Sequence, residues 1–329
     1  MFADHWVIAL LVGQISSLSL ITIAFFQTLP IMRNWAADSG SEQQIGLERK
    51  TYLISAVIRY VLIFQIIALV LLLITVNNHL PGLIKGAMCA SGTLNLNDYG
   101  YPLLYLKIIA IFFYGAFLFM NYLDESEPEY PLTPKKFALL PIIFVLLLGD
   151  VVLMLQYFGH IEPDIIATCC SISFSLSGRP GDGTLMEGQW IETVLPLFYA
   201  LSFLLMLILL TQKIKTYVGL LLTILFMPMA LYALKFHFVK FIYALPTHNC
   251  LFDIFWSQYH YIGYILFGCL MIALMAVFIA TIYHSVKTHL REIHPHLTLR
   301  LRRIAALCIF LFTLINSAYW LYWITFRLS

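Results

Sequence analysis

The segment 137–158, FALLPIIFVLLLGDVVLMLQYF, decides the fold class of this chain. Its only charged residue is Asp150. As a helix, a stretch of this length crosses the roughly 30 Å hydrocarbon core of a lipid bilayer. The strands of a transmembrane β-barrel would instead alternate apolar and polar residues, and the run 142–149 does not alternate. The segment therefore predicts a transmembrane α-helix.

Seven other stretches share this length and apolar character. The predicted spans are 6–30, 52–77, 102–123, 137–158, 190–211, 216–244, 258–284 and 304–326. We therefore predict an all-α integral membrane protein that forms one polytopic domain over residues 1–329 and contacts the lipid bilayer. Cys89 follows the second span and Cys250 the sixth, so the alternative is a parallel repeat of two sets of four spans.

The composition of the chain excludes several classes of protein. Hydrophobic residues make up 61 % of the 329 residues, and charged residues make up 11 %, against about 25 % in an ordinary soluble domain. The mean hydropathy is +0.87 and the formal net charge is only +2. These values exclude a soluble enzyme, a disordered chain and a nucleic-acid-binding protein.

The distribution of Lys and Arg predicts the orientation of the chain. With the N-terminus outside, twelve of the 19 Lys and Arg residues fall in inner segments and three in outer segments. Because positive residues concentrate on the cytoplasmic side, both termini are expected on the outer, periplasmic side. No Asn-X-Ser/Thr sequon occurs, which favours a bacterial inner membrane.

Four of the six cysteines lie in predicted outer loops, namely Cys89, Cys169, Cys170 and Cys250. The periplasm is oxidising, and thiols exposed to it normally pair. A ring closed between the adjacent Cys169 and Cys170 would be strained. We therefore expect Cys89 and Cys250 each to bond one of those two, so that disulfides staple the outer loops after the second, fourth and sixth spans.

Two other kinds of chemistry fit the same cysteines. In a thiol–disulfide exchange enzyme, the vicinal Cys169 and Cys170 would be the catalytic pair. In a metal site, Cys89, His248 and Cys250 would bind copper, because thiolates are soft ligands that suit Cu(I).

Ionisable residues within the spans mark a second candidate site. Lys107 and Asp150 lie on the hairpin of the third and fourth spans, which predicts an ion pair between them. Lys235 and His237 follow Pro228 in the sixth span, a pattern found in the broken helices of transporters. If these four residues converge, they form an outer-leaflet pocket for an anionic ligand or a quinone head group. Haem b, held by His237 and His260, is the other cofactor that the sequence allows.

The chain contains no Walker loop, so it does not itself hydrolyse ATP. The favoured hypothesis is a non-ATP-hydrolysing membrane subunit of a transport or respiratory assembly, with the outer-leaflet polar pocket and a periplasmic face that docks a periplasmic or membrane protein partner. The alternatives are a membrane thiol–disulfide oxidoreductase, possibly quinone-linked, and a secondary transporter with a broken sixth helix.

Overall fold

The computed structural model describes residues 4–35, 41–127, 129–161, 191–211, 214–245, 248–290 and 296–327. These residues form helices and no β-strand. Eight helical segments within them are long and apolar enough to cross a membrane, which confirms the multi-pass helical prediction. The sidedness of the termini and the disulfide staples stay predictions; the described part of the chain contains no disulfide.

Backbone contacts divide the chain into two compact units of four spans each. Unit 1 contains α1 (His5–Asn34), α2 (Glu42–Ile74), α3 (Gly100–Glu125) and α4 (Leu140–Gly159). Each of these helices packs against two of the others, in the cyclic order α1, α2, α3, α4. This arrangement is an antiparallel four-helix bundle, because consecutive spans must run in opposite directions through a bilayer.

Unit 2 contains α5 (Ile191–Leu210), α6 (Thr216–Ala233), α7 (Ile262–Val286) and α8 (Leu297–Arg327), together with the short segment Gly86–Gly92. Its core combines the aromatic rings of Phe198, Phe226 and Phe312 with small and branched residues of α7. The single domain over 1–329 remains a prediction.

The second span of each unit ends in the same way. A π-helical turn, Thr75–His79, continues α2, and another, Leu234–Phe238, continues α6. The extra residue in a π-turn offsets the register of the side chains that follow it, and such turns are frequent at functional sites. A connection containing one cysteine follows each π-turn, Cys89 after the first and Cys250 after the second, and both cysteines belong to unit 2.

Two helices extend well beyond their predicted membrane boundaries. α2 begins ten residues before position 52, because the Ser41 side chain accepts a hydrogen bond from the backbone N–H of Gln44 and caps the helix. α8 begins seven residues before position 304. There the guanidinium of Arg302 donates to the carbonyls of Ile208 and Ile214. These bonds pair a charged group that a hydropathy search leaves outside the predicted span. Hydropathy therefore located the lipid-facing part of each helix and missed its polar extension.

Candidate functional site

The connection between α6 and α7 holds most of the candidate site. Ala244 adopts a left-handed conformation with φ of 56°, which ends the helical turn Val239–Tyr243 and turns the chain away from the span axis. The Tyr243 hydroxyl donates to the carbonyl of Cys250 at 2.6 Å. Ile254 and Phe255 are buried in the core of unit 2 and anchor the next turn, Asp253–Phe255. Cys250 and Asp253 are thus fixed between two anchored points.

The structure brings Cys89 against Cys250. Their sulfur atoms lie 3.3 Å apart, and the two residues are 0 % and 2 % exposed. Gly86 adopts a φ of 82° before Cys89, a conformation that glycine takes without steric cost. The backbone N–H of Phe252 also donates to the sulfur of Cys250 at 3.4 Å.

A carboxylate completes the cluster. The two sulfurs and a carboxylate oxygen of Asp253 all lie within 4.8 Å of one another. Asp253 Oδ2 lies 2.5 Å from Nε2 of His248, whereas Oδ1 is buried and has no hydrogen-bond partner among the described residues. We call Cys89, Cys250 and Asp253, with His248 behind the carboxylate, the cysteine centre.

The electrostatics of the cysteine centre favour a cation. A hydrogen bond from Cys250 is the largest influence on Cys89 and, with the backbone N–H groups of Ser91 and Gly92, lowers the pKa of the Cys89 thiol below its usual value. Burial and the charge of Asp253 oppose this shift. A lowered pKa favours the thiolate, which is the form that binds metals. Thiolates beside a carboxylate repel one another, and a bound cation removes that repulsion.

The sulfur separation can be compared with the values that two uses of the pair require. Two thiolates on a tetrahedral zinc ion, with Zn–S bonds of about 2.3 Å, lie about 3.8 Å apart. A disulfide requires about 2.05 Å. From the observed 3.3 Å, a metal needs a separation about 0.5 Å larger, and a disulfide needs one about 1.2 Å smaller. The observed separation thus lies between the two values, so the pair is close to both geometries.

This contact differs from the expected pairing, in which Cys89 and Cys250 each join Cys169 or Cys170. Both of the latter residues lie outside the described residues, so their roles as staples or as a catalytic pair stay predictions. The copper hypothesis places Cys89 and Cys250 together, but residue spacing alone does not show this contact, because the distance between the two residues depends on how the α6–α7 connection folds.

Gly263 supports the cysteine centre from the second position of α7. A methyl group there would lie 2.8 Å from Cγ1 of Ile254 and 3.0 Å from the ring of Phe255, the residues that anchor Asp253. We expect Gly263→Ala to lower the free energy of unfolding by about 1–3 kcal/mol, as overpacked substitutions do. Denaturation in mixed detergent micelles measures this. Gly268→Ala in the same helix is the control, since no atom lies within 4 Å of its added methyl group; equal effects would contradict the prediction.

The predicted ion pair between Lys107 and Asp150 is present. Lys107 Nζ donates to Asp150 Oδ2 at 2.7 Å, and both side chains are buried inside unit 1. Gln14 of α1 donates to the same carboxylate oxygen, and Gln65 of α2 donates to the carbonyl of Gln14. Each of the four helices thus contributes one polar side chain, and we call Gln14, Gln65, Lys107 and Asp150 the polar layer.

Lys235 and His237 belong to unit 2, in the π-turn that follows α6. The Lys235 ammonium lies 4.6 Å from the ring centre of Phe236. The His237 ring packs edge-on against Phe238, Phe241 and Trp320, and its Nε2 has no partner among the described residues. The joint pocket with Lys107 and Asp150 stays a prediction, as does haem b at His237 and His260.

Sequence reasoning missed Asp253, Gln14 and Gln65 as parts of these sites. Asp253 follows Cys250 by three residues, which is a local signal that could have placed it beside the thiol. The two glutamines carry no charge, so a search for ionisable residues in the spans passes over them. Amides within a transmembrane helix are the signal that would have identified them.

Comparison of the chain with protein-family models, with curated proteins and with solved structures finds no significant match.

Proposed function

We propose that this chain is the membrane subunit of a transport or redox assembly and that it binds a thiophilic metal ion at the cysteine centre. The observation that carries the proposal is the convergence of two thiols and a carboxylate within 4.8 Å. Zn²⁺ and Cu⁺ both suit this donor set, because both bind thiolates and accept low coordination numbers. Hydrogen bonding between His248 and Asp253 would orient the carboxylate toward the ion.

Three protein ligands leave one position of a tetrahedral ion open. Open positions are typical of zinc sites that exchange a ligand or react, whereas structural sites use four protein ligands. We therefore propose a metal that is handed on or used, with the cysteine centre facing the periplasm of a bacterial inner membrane, the side that the Lys and Arg distribution favours. A periplasmic or membrane protein partner would deliver or receive the ion there.

Metal binding to the purified full chain in lipid nanodiscs tests this proposal. After treatment with a chelator and a thiol reductant, zinc and cuprous ions are titrated separately against a chromophoric competitor. We expect one tightly bound ion per chain, loss of that site in Cys89→Ser and in Cys250→Ser, and an affinity about 10–100-fold lower in His248→Ala. The titration that gives the tighter site identifies the ion.

Cys269→Ser is the matched control, because Cys269 is also buried in unit 2 but lies within α7. It is expected to keep the wild-type stoichiometry and affinity. Unchanged binding in both Cys89→Ser and Cys250→Ser would overturn the proposal.

The separation of 3.3 Å between the sulfurs also favours a second candidate function, dithiol oxidation. Two thiols would form one disulfide and release two protons and two electrons, with a membrane quinone as the electron acceptor, reduced to the quinol. Mass spectrometry after alkylation distinguishes the two. A Cys89–Cys250 disulfide that forms with added quinone and binds no metal would replace the metal proposal.

A further inference from the structure

Five buried polar atoms of unit 1 have no hydrogen-bond partner among the described residues. They are Trp35 Nε1, Thr51 Oγ1, Ser55 Oγ, Tyr114 Oη and Asp150 Oδ1. Nearly all buried polar groups in proteins are paired, so each exception needs an explanation. In a membrane the cost is higher still, because lipid offers no hydrogen bonds. The five atoms in this bundle therefore need a physical explanation.

One end of unit 1 carries a small open cleft. Trp35, Thr51, Ser55 and Lys136 are among its lining residues, and the carboxylates of Glu48 and Glu125 also border it. Three of the five unpaired atoms therefore belong to residues that line this cleft. At its inner wall, the Lys136 ammonium bonds Asp124 at 2.7 Å and Asn121 at 2.9 Å.

From the cleft, polar side chains continue along α3 into the bundle. Asn121, Tyr114 and Lys107 are spaced by seven residues, so all three lie on the same face of the helix. They are 1 %, 2 % and 4 % exposed, which places that face in the interior of unit 1. At 1.5 Å per residue, Tyr114 lies about 10 Å along the axis from each of the other two. Tyr114 is thus midway between the cleft and the polar layer.

Asp150 of α4 lies beyond Lys107, at the far end of this row of polar side chains. Its Oδ2 is bonded to Lys107 and Gln14, while Oδ1 accepts no hydrogen bond from the described residues. The titratable groups that face Asp150 from the helices packed against it are Lys107 and Tyr114 of α3; α1 presents Gln14, which does not titrate. A carboxylate with one unsatisfied oxygen is an acceptor for a proton.

We propose that unit 1 contains a proton path that leads from the cleft at Thr51 and Ser55, past Tyr114, to Asp150. A hydronium ion at the cleft gives up one proton and becomes water, and the carboxylate of Asp150 becomes a carboxylic acid. Hydroxyl groups suit the intermediate positions, because each accepts one hydrogen bond and donates another. The intervals that the side chains do not span require ordered water, which commonly pairs buried polar groups.

Protonation of Asp150 also changes the polar layer. The carboxylate charge is what compensates the buried Lys107 ammonium, so the ion pair and the protonated acid exclude each other. Proton arrival therefore breaks the Lys107–Asp150 ion pair between α3 and α4. In pumps and transporters, protons are relayed by ionisable residues within the membrane spans.

Infrared difference spectroscopy of the full chain in a lipid bilayer tests the proposal. On acidification we expect the C=O stretching band of a protonated carboxylic acid, shifted in D₂O and missing from Asp150→Asn. After a rapid pH jump, the band should form about 100-fold more slowly in Tyr114→Phe, the lower range for loss of a positioned proton-transfer group. Ser55→Ala, which removes a hydroxyl at the cleft, provides a second variant with the same expected direction.

Tyr157→Phe is the matched control. Tyr157 is also fully buried in unit 1, but its hydroxyl donates to the carbonyl of Thr93 and lies off the path. Wild-type kinetics in this control, with slow kinetics in Tyr114→Phe, support the path. Two results overturn it: no carboxylic acid band in the folded wild type at any pH, or equal rates in the Tyr114 and Tyr157 variants. Neither depends on the cysteine centre, because every residue tested belongs to unit 1.

Discussion

Asp150→Asn and Lys107→Met are each expected to lower the free energy of unfolding by about 3–5 kcal/mol, because each leaves one buried charge without its partner. Both side chains are at most 4 % exposed, so bulk water does not solvate the remaining charge. The double variant removes both charges and keeps an amide oxygen that can accept from Gln14. It is expected to recover most of the loss, since neutral replacement of a buried pair is often tolerated.

Denaturation of the purified chain in mixed detergent micelles measures the four free energies of this double-mutant cycle. Lys135→Met is the control, because Lys135 is exposed and its replacement should change stability by no more than about 0.5 kcal/mol. Additive effects of the two single variants would show that the ion pair carries no coupling energy. In that case the contact between α3 and α4 would depend on apolar packing alone.

Acidification is expected to release the metal from the cysteine centre, with the affinity falling about 100-fold per pH unit wherever binding displaces two thiol protons. Where one thiol is already ionised, the dependence falls to about tenfold per unit. The hydrogen bond from Cys250 lowers the pKa of Cys89. The tenfold dependence of the metal affinity on pH therefore begins at a lower pH than it would with two cysteines of ordinary pKa.

Competition titrations at several pH values in nanodiscs measure this dependence. Cys250→Ala removes the hydrogen bond to Cys89 and should raise the pKa of the remaining thiol, which maleimide labelling rates report in the detergent-solubilised chain. A metal affinity that does not vary with pH would contradict thiolate ligation. A pKa of Cys89 that is unchanged in Cys250→Ala would contradict the contact between the two sulfurs.

The polar layer shows how far reasoning from the sequence extends. The Lys107–Asp150 pair follows from two observations, a charge on each helix of a hairpin and the cost of leaving either one alone in lipid. The inward direction of Gln14 and Gln65 could not be predicted in the same way. An apolar helix in a membrane has no polar outer face, so its hydrophobic pattern does not show which side meets the other helices.

The contacts of the cysteine centre, in contrast, were predicted only in part from the sequence. Redox chemistry alone favoured bonds from Cys89 and Cys250 to Cys169 or Cys170, and a metal site at Cys89, His248 and Cys250 was the weaker hypothesis. In the structure the two sulfurs are neighbours, and the carboxylate of Asp253 stands between them and His248. Connections between spans have no periodic pattern, and the positions of their side chains are set by tertiary anchors such as Ile254 and Phe255.

The sequence alone identifies this chain as a helical membrane protein with eight spans. The reason is that a lipid core requires about 20 apolar residues per helix and internally satisfied backbone groups, and both conditions can be read residue by residue. Only the tertiary structure shows that Cys89 contacts Cys250, that Asp253 lies beside them, and that four helices contribute to one polar layer. Those facts depend on contacts between residues far apart in the chain, which local composition does not encode.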